Sequence, residues 1–260
     1  MHTKLYFLEH SGFLLEQEDL ILVFDYYRDP AGILDTYAVS GKTIVFLVSH
    51  NHADHWNPKI MSFESQTPTY YILDSSCYSE SLRVAADKDH QKIFYVDPYT
   101  VLEEELSAIP SLIRLAVFAS TDEGSSFLLV TTSGSYIHLG DLNDWDWQDE
   151  DSEQMEADYN AEVSRMAASW AAITEDDTLP AEARQLICAF VPVDKRLEEM
   201  AFKGALTFLE YFQPDYLVPM HLNGGKDLPG ELASILSQIG RRGHSKIAEL
   251  IVPGQMINLN

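Results

Sequence analysis

Short apolar runs broken by turn residues dominate the first half of the chain. Residues 5–8 and 13–16 read as strands flanking the turn Glu9-His10-Ser11-Gly12, and residues 20–24 form a third apolar run that ends at Asp25. Residues 43–49 are apolar and rich in β-branched side chains, the pattern of a buried strand. Further strands are predicted at 69–73, 92–96, 112–118, 127–131 and 135–139, with a helix over 76–86. The last of these strands runs into Gly140-Asp141. From about Asp144 the pattern changes. Met155, Tyr159, Val163, Met166, Trp170 and Ile173 recur at spacings of three and four, which predicts an amphipathic helix whose stripe packs on the core. The strand at 186–193 precedes a helix at 198–212. A short strand at 216–220 leads into His221, a helical stripe covers 232–239, and a strand is predicted at 247–252.

Strands in both halves with helices between them indicate a mixed α and β architecture, and 260 residues suffice for one large domain. No Pro/Gly/Ser-rich linker divides the chain, so residues 1–260 are read as a single domain with an acidic helical insertion at about 144–185. Lys plus Arg number 17 against 41 Asp plus Glu, a formal net charge of −24. Such a surface repels polyanions and anionic lipid, which disfavours nucleic acid and membranes as partners and leaves small molecules. Oligomeric state is not encoded in any pattern of this kind. No run approaches the ~20 apolar residues of a membrane span, and the amino terminus lacks a signal peptide's apolar core. Cys77 and Cys188 stand far apart and read as free thiols, so a reducing cytoplasm is expected.

The chemistry is concentrated in His50-Asn51-His52-Ala53-Asp54-His55, directly after the 43–49 strand. Three imidazoles and a carboxylate in six residues are a metal-ligating set that suits zinc first, then manganese or iron. Alternate residues of an extended segment share a face, so His50 and His52 can converge on one ion. Once the chain turns, Asp54 and His55 can reach a second.

This motif resembles the His-x-His-x-Asp-His signature of the metallo-β-lactamase superfamily, matched in full by His50, His52, Asp54 and His55. Asp25 is similar to the family's buried aspartate that supports the metal loop, Asp141 to the carboxylate that bridges two ions, and His221 to the last histidine ligand. The opening residues 9–16 resemble the branch of stand-alone hydrolases that includes ascorbate-6-phosphate lactonase. The resemblance implies an α+β fold, a four-layer αββα sandwich, holding one or two divalent ions. It also implies that a histidine should stand about twenty residues before Asp141, where this chain has Thr121. Asp122 or Glu123 could supply a substitute carboxylate, or both could be solvated turn residues.

The expected function is hydrolysis of a small-molecule ester, lactone, amide or phosphoester by metal-bound hydroxide, with Asp54 as the catalytic group that manages the proton. The alternative is a metal-binding sensor or partner-binding protein without turnover, kept open by Thr121. Further pocket candidates are His10, Trp56, Trp145 and Arg196. His10 could face substrate, support a metal ligand through a hydrogen bond, or cap its own turn. The tryptophans could wall a pocket or pack helices, and Arg196 could receive an anion or pair with Asp194 or the acidic helix. His138 reads as a satisfied strand histidine.

Overall fold

The computed structural model describes residues 3–80, 92–147, 152–240 and 245–259. The apolar runs pair into two seven-stranded sheets. The first contains β1 (Thr3–Glu9), β2 (Gly12–Glu16), β3 (Leu20–Phe24), β4 (Thr43–Val48), β5 (Thr69–Asp74), β6 (Lys92–Val96) and, at its far edge, the carboxyl-terminal β14 (Met256–Leu259). The second contains β7 (Val101–Leu102), β8 (Leu112–Ala119), β9 (Ser125–Thr131), β10 (Gly134–His138), β11 (Leu186–Pro192), β12 (Tyr216–Met220) and β13 (Lys246–Ile247). Their orders, β14-β1-β2-β3-β4-β5-β6 and β13-β12-β11-β10-β9-β8-β7, carry the same design. In each, antiparallel neighbours give way to parallel ones, at β3–β4 in the first sheet and β10–β11 in the second.

Alternate side chains of the first sheet point to different cores. Phe13, Leu15, Leu22, Phe24, Val45 and Leu47 face the second sheet, while Leu14, Ile21, Val23, Ile44, Phe46 and Val48 face outward. The outward set is covered by the 3-10 turns at Leu34–Tyr37 and Pro58–Ser62. Burial on both faces explains why β3 and β4 read as uninterrupted apolar runs. Over the outer face of the second sheet lie α1 (Ser152–Glu175), which packs on α2 (Lys203–Tyr211) and β8, and α3 (Leu228–Gln238), which packs on β12 and β13. The predicted stripe of α1 does bury Tyr159, Val163, Met166 and Ile173. The result is the α+β two-sheet sandwich that the resemblance implies, with the sheets as its inner layers.

Three predicted elements differ. The 198–212 helix is split, because Glu198 has φ 51° and ψ −117° within a 3-10 segment, and α2 starts only at Lys203. The strand expected at 247–252 stops at Ile247. The Gln255 side-chain oxygen accepts the backbone N–H of both Ile251 and Val252, which turns the chain back toward the first sheet. There β14, a short and half-exposed strand, pairs with β1. Most of the helix expected at 76–86 lies outside the described residues, and Ser75–Cys77 is a 3-10 turn. Both cysteines are buried and free, and none of the described helices is long and apolar enough to cross a membrane.

At one end of the first sheet, Glu16 accepts from Lys42 Nζ at 2.7 Å, Lys4 Nζ at 3.0 Å and the Tyr37 hydroxyl at 2.8 Å. Burial opposes its charge, but these donors outweigh burial and lower its pKa to about 2. With an unfolded value near 4.3, the stabilisation is complete above pH ~5 and is lost as the pH falls toward 2. Glu16→Gln should therefore cost about 1–3 kcal/mol at pH 7, and the gap to the parent should close between pH 5 and 2. Thermal melts across that range check this. A gap that does not narrow in acid contradicts it.

Candidate metal centre

Because both sheets run β-to-loop in the same sense, their strand ends open on one edge. Asp25 follows β3, the His50–His55 cluster follows β4, Gly140-Asp141 closes the turn after β10, Asp194 follows β11 and His221 follows β12. The seat of the cluster is Asp25, fully buried. Its carboxylate accepts from the Ser49 backbone N–H at 2.8 Å, the Ser49 hydroxyl at 2.7 Å and His55 Nδ1 at 2.7 Å. Two glycines let the neighbouring loops approach this closely. A Cβ on Gly124 (φ +77°) would lie 2.2 Å from the Ser49 carbonyl oxygen and 2.4 Å from His50 Cβ. One on Gly140 (φ +54°) would lie 2.8 Å from Ser125 O and from Ser49 Cβ.

The hydrogen bonds settle which ring nitrogens are free. His55 Nδ1 donates to Asp25, and His221 Nδ1 donates to Asp194 at 2.8 Å. The Ser49 hydroxyl is committed to Asp25, so it accepts from His50 Nδ1 at 3.0 Å. Each ring thus turns a bare Nε2 inward, and all three converge on Asp141. His55 Nε2 lies 3.2 Å and His221 Nε2 3.6 Å from Asp141 Oδ1, with His50 Nε2 3.5 Å from Oδ2. His50 Nε2, His55 Nε2 and Asp141 Oδ1 are buried without any hydrogen-bond partner. Lone pairs facing a buried carboxylate repel one another unless a positive charge lies between them. Divalent cations held between them would satisfy these atoms. Anchoring of Nδ1 to a carboxylate or hydroxyl is also how metal-binding histidines are held. The donor set therefore fits a metal ion.

In the bare protein a proton fills the same need. Burial opposes charge on His55, but Asp25 and Asp141 outweigh it and push its pKa up to about 10. Burial also opposes charge on Asp141, yet His55, His221 and His50 hold its carboxyl well below the usual range. Burial lowers the pKa of His50, and that of His10 to about 4, where His221 and His55 add to the effect. For Asp194, His221 and Arg196 overcome burial and keep the carboxylate ionised.

The donor atoms sort into three overlapping groups: His50, His55 and Asp141; His52, Asp122 and Asp141; and His10, Asp54, His55 and His221. Asp122 and Glu123 are both exposed at the mouth, with Glu123 3.2 Å from His52 Nε2. Thr121 has another task. Its hydroxyl donates to Asn143 O at 2.5 Å and accepts from Asn143 N at 3.0 Å, tying the 119–125 loop to the loop after Asp141. His138 is satisfied within the structure, donating through Nε2 to Ser11 O and accepting the Gly140 N–H on Nδ1.

A cleft of about 460 Å³ opens over the cluster, lined by His52, Asp54, Asp141 and His221 together with Thr121, Asp122, Trp145, Trp147, Met155 and Arg196. Trp145 Nε1 donates to Asp141 O at 2.9 Å, and its ring stacks on Trp147 at 5.8 Å. Arg196 is paired with Asp194 through Nε and Nη2 and lies over Trp147, yet its side chain is 54% exposed toward the cleft. Two expectations need correction. Trp56 does not line the cleft; it packs against the outward core of the first sheet, because its loop turns there to bond Trp56 N to His52 O. His10 does not line the cleft either; it lies against His221 with its Nε2 toward Asp54 and borders a separate cavity. Asp194 and Asn223, which donates to it at 2.7 Å, were not singled out from the sequence as site residues. A carboxylate after a strand is too common a signal to mark one.

The family model of the beta-lactamase superfamily domain matches residues 4–158, more than half of the chain, and the chain belongs to that superfamily. No curated protein sequence matches it significantly. Igni18, a metallo hydrolase from the hyperthermophilic archaeon Ignicoccus hospitalis KIN4/I, is similar with a TM-score of 0.63 at 16% identity, over 100% of this chain and 99% of its own. An isothiocyanate hydrolase from Delia radicum gut bacteria gives 0.56 at 12%, over 98% of each. CmlA, a diiron β-hydroxylase from Streptomyces venezuelae, gives 0.58 at 10%, over 99% of this chain and 54% of its own. At such identities the likeness is one of fold.

Gly124→Ala should shift the Ser49–His50 backbone and cost about 2–4 kcal/mol, since the added methyl meets backbone rather than a flexible side chain. Metal affinity should fall with it. An unchanged melting temperature and unchanged zinc affinity would show the approach to be dispensable.

Proposed function

We propose that this protein is a metal-dependent hydrolase of small molecules carrying an ester, lactone, amide or phosphoester bond. The observation that supports this most is the convergence of bare, buried His50, His55 and His221 nitrogens on the Asp141 carboxylate. Divalent ions held there would supply Lewis acidity, activating water and polarising the bond under attack. His50 and His52 would hold one ion and Asp54, His55 and His221 another, with Asp141 within reach of both. Asp54, half exposed at the mouth of the cleft, is placed to take up or return the proton. Trp145 and Trp147 give the cleft an apolar wall, and the open side of Arg196 favours an anionic group on the substrate. The opening residues 9–16 support placement in the branch resembling ascorbate-6-phosphate lactonase, and therefore a lactone as the first substrate class to try. Two buried thiols and an acidic surface agree with a cytoplasmic setting free of nucleic-acid or membrane partners.

At the first position Thr121 supplies no imidazole, and Asp122 lies with His52 and Asp141. A carboxylate there shifts preference from zinc toward manganese or iron. The same feature favours the second reading, a metal-binding sensor or partner-binding protein without turnover.

Metal content and activity should be measured on one sample. The expected result is one or two divalent ions per chain and cleavage in a panel of lactones, esters, amides and phosphoesters. A protein with only trace metal that cannot be reconstituted with zinc, manganese or iron is not a metallohydrolase, and bound metal without any cleavage selects the second reading. Asp122→Ala and Glu123→Ala, made separately, test the first position: one of them should lose an equivalent of metal. Unchanged stoichiometry in both removes carboxylate substitution from the scheme.

A further inference from the structure

His10 lies in the β1–β2 turn, far in sequence from the histidine motif. Its backbone is in the left-handed region at φ 60°, as is that of His221 at φ 58°. For residues other than glycine this costs on the order of 1 kcal/mol or more, so the surrounding structure must hold it there. The two strained residues hold each other: the His221 N–H points to the His10 carbonyl at 3.4 Å, and the rings lie 4.2 Å apart. The His10 ring is also 5.6 Å from that of His55, at 90°. Its Nε2 is buried, 3.4 Å from Asp54 Oδ2, and makes no hydrogen bond. The nearest donor atoms of His10, Asp54, His55 and His221 all lie within 4.8 Å of one another. Ligands about 2.0–2.2 Å from a common ion stand up to ~4.3 Å apart, so only a small contraction closes this set. His10 does not line the cleft over the cluster; it borders a separate cavity of about 350 Å³ with Tyr27, Leu222 and Asn223.

Resting on the metal reading above, we propose that His10 is a protein ligand of the ion held by Asp54, His55 and His221. That position would then have three imidazoles and a carboxylate before Asp141 is counted. The imbalance between the two positions follows directly. The first, with Thr121 tied to Asn143, keeps two imidazoles, while the second gains one from the opposite end of the chain. The second position is the tighter one, filled first when metal is scarce.

The test is to load the metal-free wild-type protein with one equivalent of zinc and count imidazoles by X-ray absorption, with zinc affinity measured by chelator competition. Three imidazoles are expected, from His10, His55 and His221; because His50 also converges on Asp141, the variant shows whether His10 is one of the three. In His10→Ala the count should fall to two, and affinity should drop by more than the ~10–100-fold cost of an outer-shell change. A count of two in the wild type overturns the proposal, and needs no variant to fold. A count of three that survives in His10→Ala overturns it as well. Weaker affinity at an unchanged count would assign His10 to positioning Asp54. Failure of the wild type to bind zinc at all would refute the metal reading itself, and this inference with it.

Discussion

A carboxylate with no solvent exposure ends β3, and the placement of the candidate ligands follows from it. Burying Asp25 would cost several kcal/mol if its oxygens were unpaired. They are paired by the Ser49 N–H, the Ser49 hydroxyl and His55 Nδ1, so the loop after β4 has one low-energy path. Along it, Ser49 in turn accepts from His50, and both rings are left with their Nε2 toward Asp141. Asp194 does the same for His221 from the second sheet. Two buried carboxylates thus set three imidazoles, each through the ring nitrogen that is not presented to Asp141.

The internal likeness of the two sheets explains why these pieces meet. Each sheet changes from antiparallel to parallel pairing, and strands β3, β4, β10, β11 and β12 all end at one edge. Loops at such strand ends are held rigidly at their roots while their tips stay accessible. Asp25 and Asp141 occupy comparable places after β3 and β10, one as a support and one as a prospective ligand. Symmetric scaffolding therefore carries an asymmetric site.

That asymmetry is sharpest at Thr121 and His10. Thr121 exchanges a ligand's position for two hydrogen bonds to Asn143, which join the loops on either side of the cleft. The loop after Asp141 is then doubly fixed, since Trp145 bonds the Asp141 carbonyl and stacks on Trp147 beneath Arg196. What is lost in donors on one side of the cluster is matched by rigidity in the wall that would receive substrate. On the other side, the left-handed backbones of His10 and His221 store strain against each other, a cost that a shared ion would offset.

The core strands and the His50–His55 cluster were legible in the sequence because both are local. Strands buried on two faces announce themselves as apolar runs, and a dense imidazole cluster after one of them is rare by chance. The α1 stripe was legible for the same reason. Short, exposed edge elements were not: β14 is four residues long and half exposed, and Gln255 turns the chain toward the edge of β1 where it pairs. Nor could spacing separate the two readings of Arg196, of Trp56 or of His10, since each depends on which distant segment lies alongside. The sequence alone determined the ligand chemistry and the strands that carry it. Only the tertiary structure decided which nitrogens are bare, which carboxylates hold the rings, and that a histidine from the first turn lies against one from the loop after β12. Those outcomes rest on hydrogen bonds and packing between segments far apart in the chain, which no local pattern records.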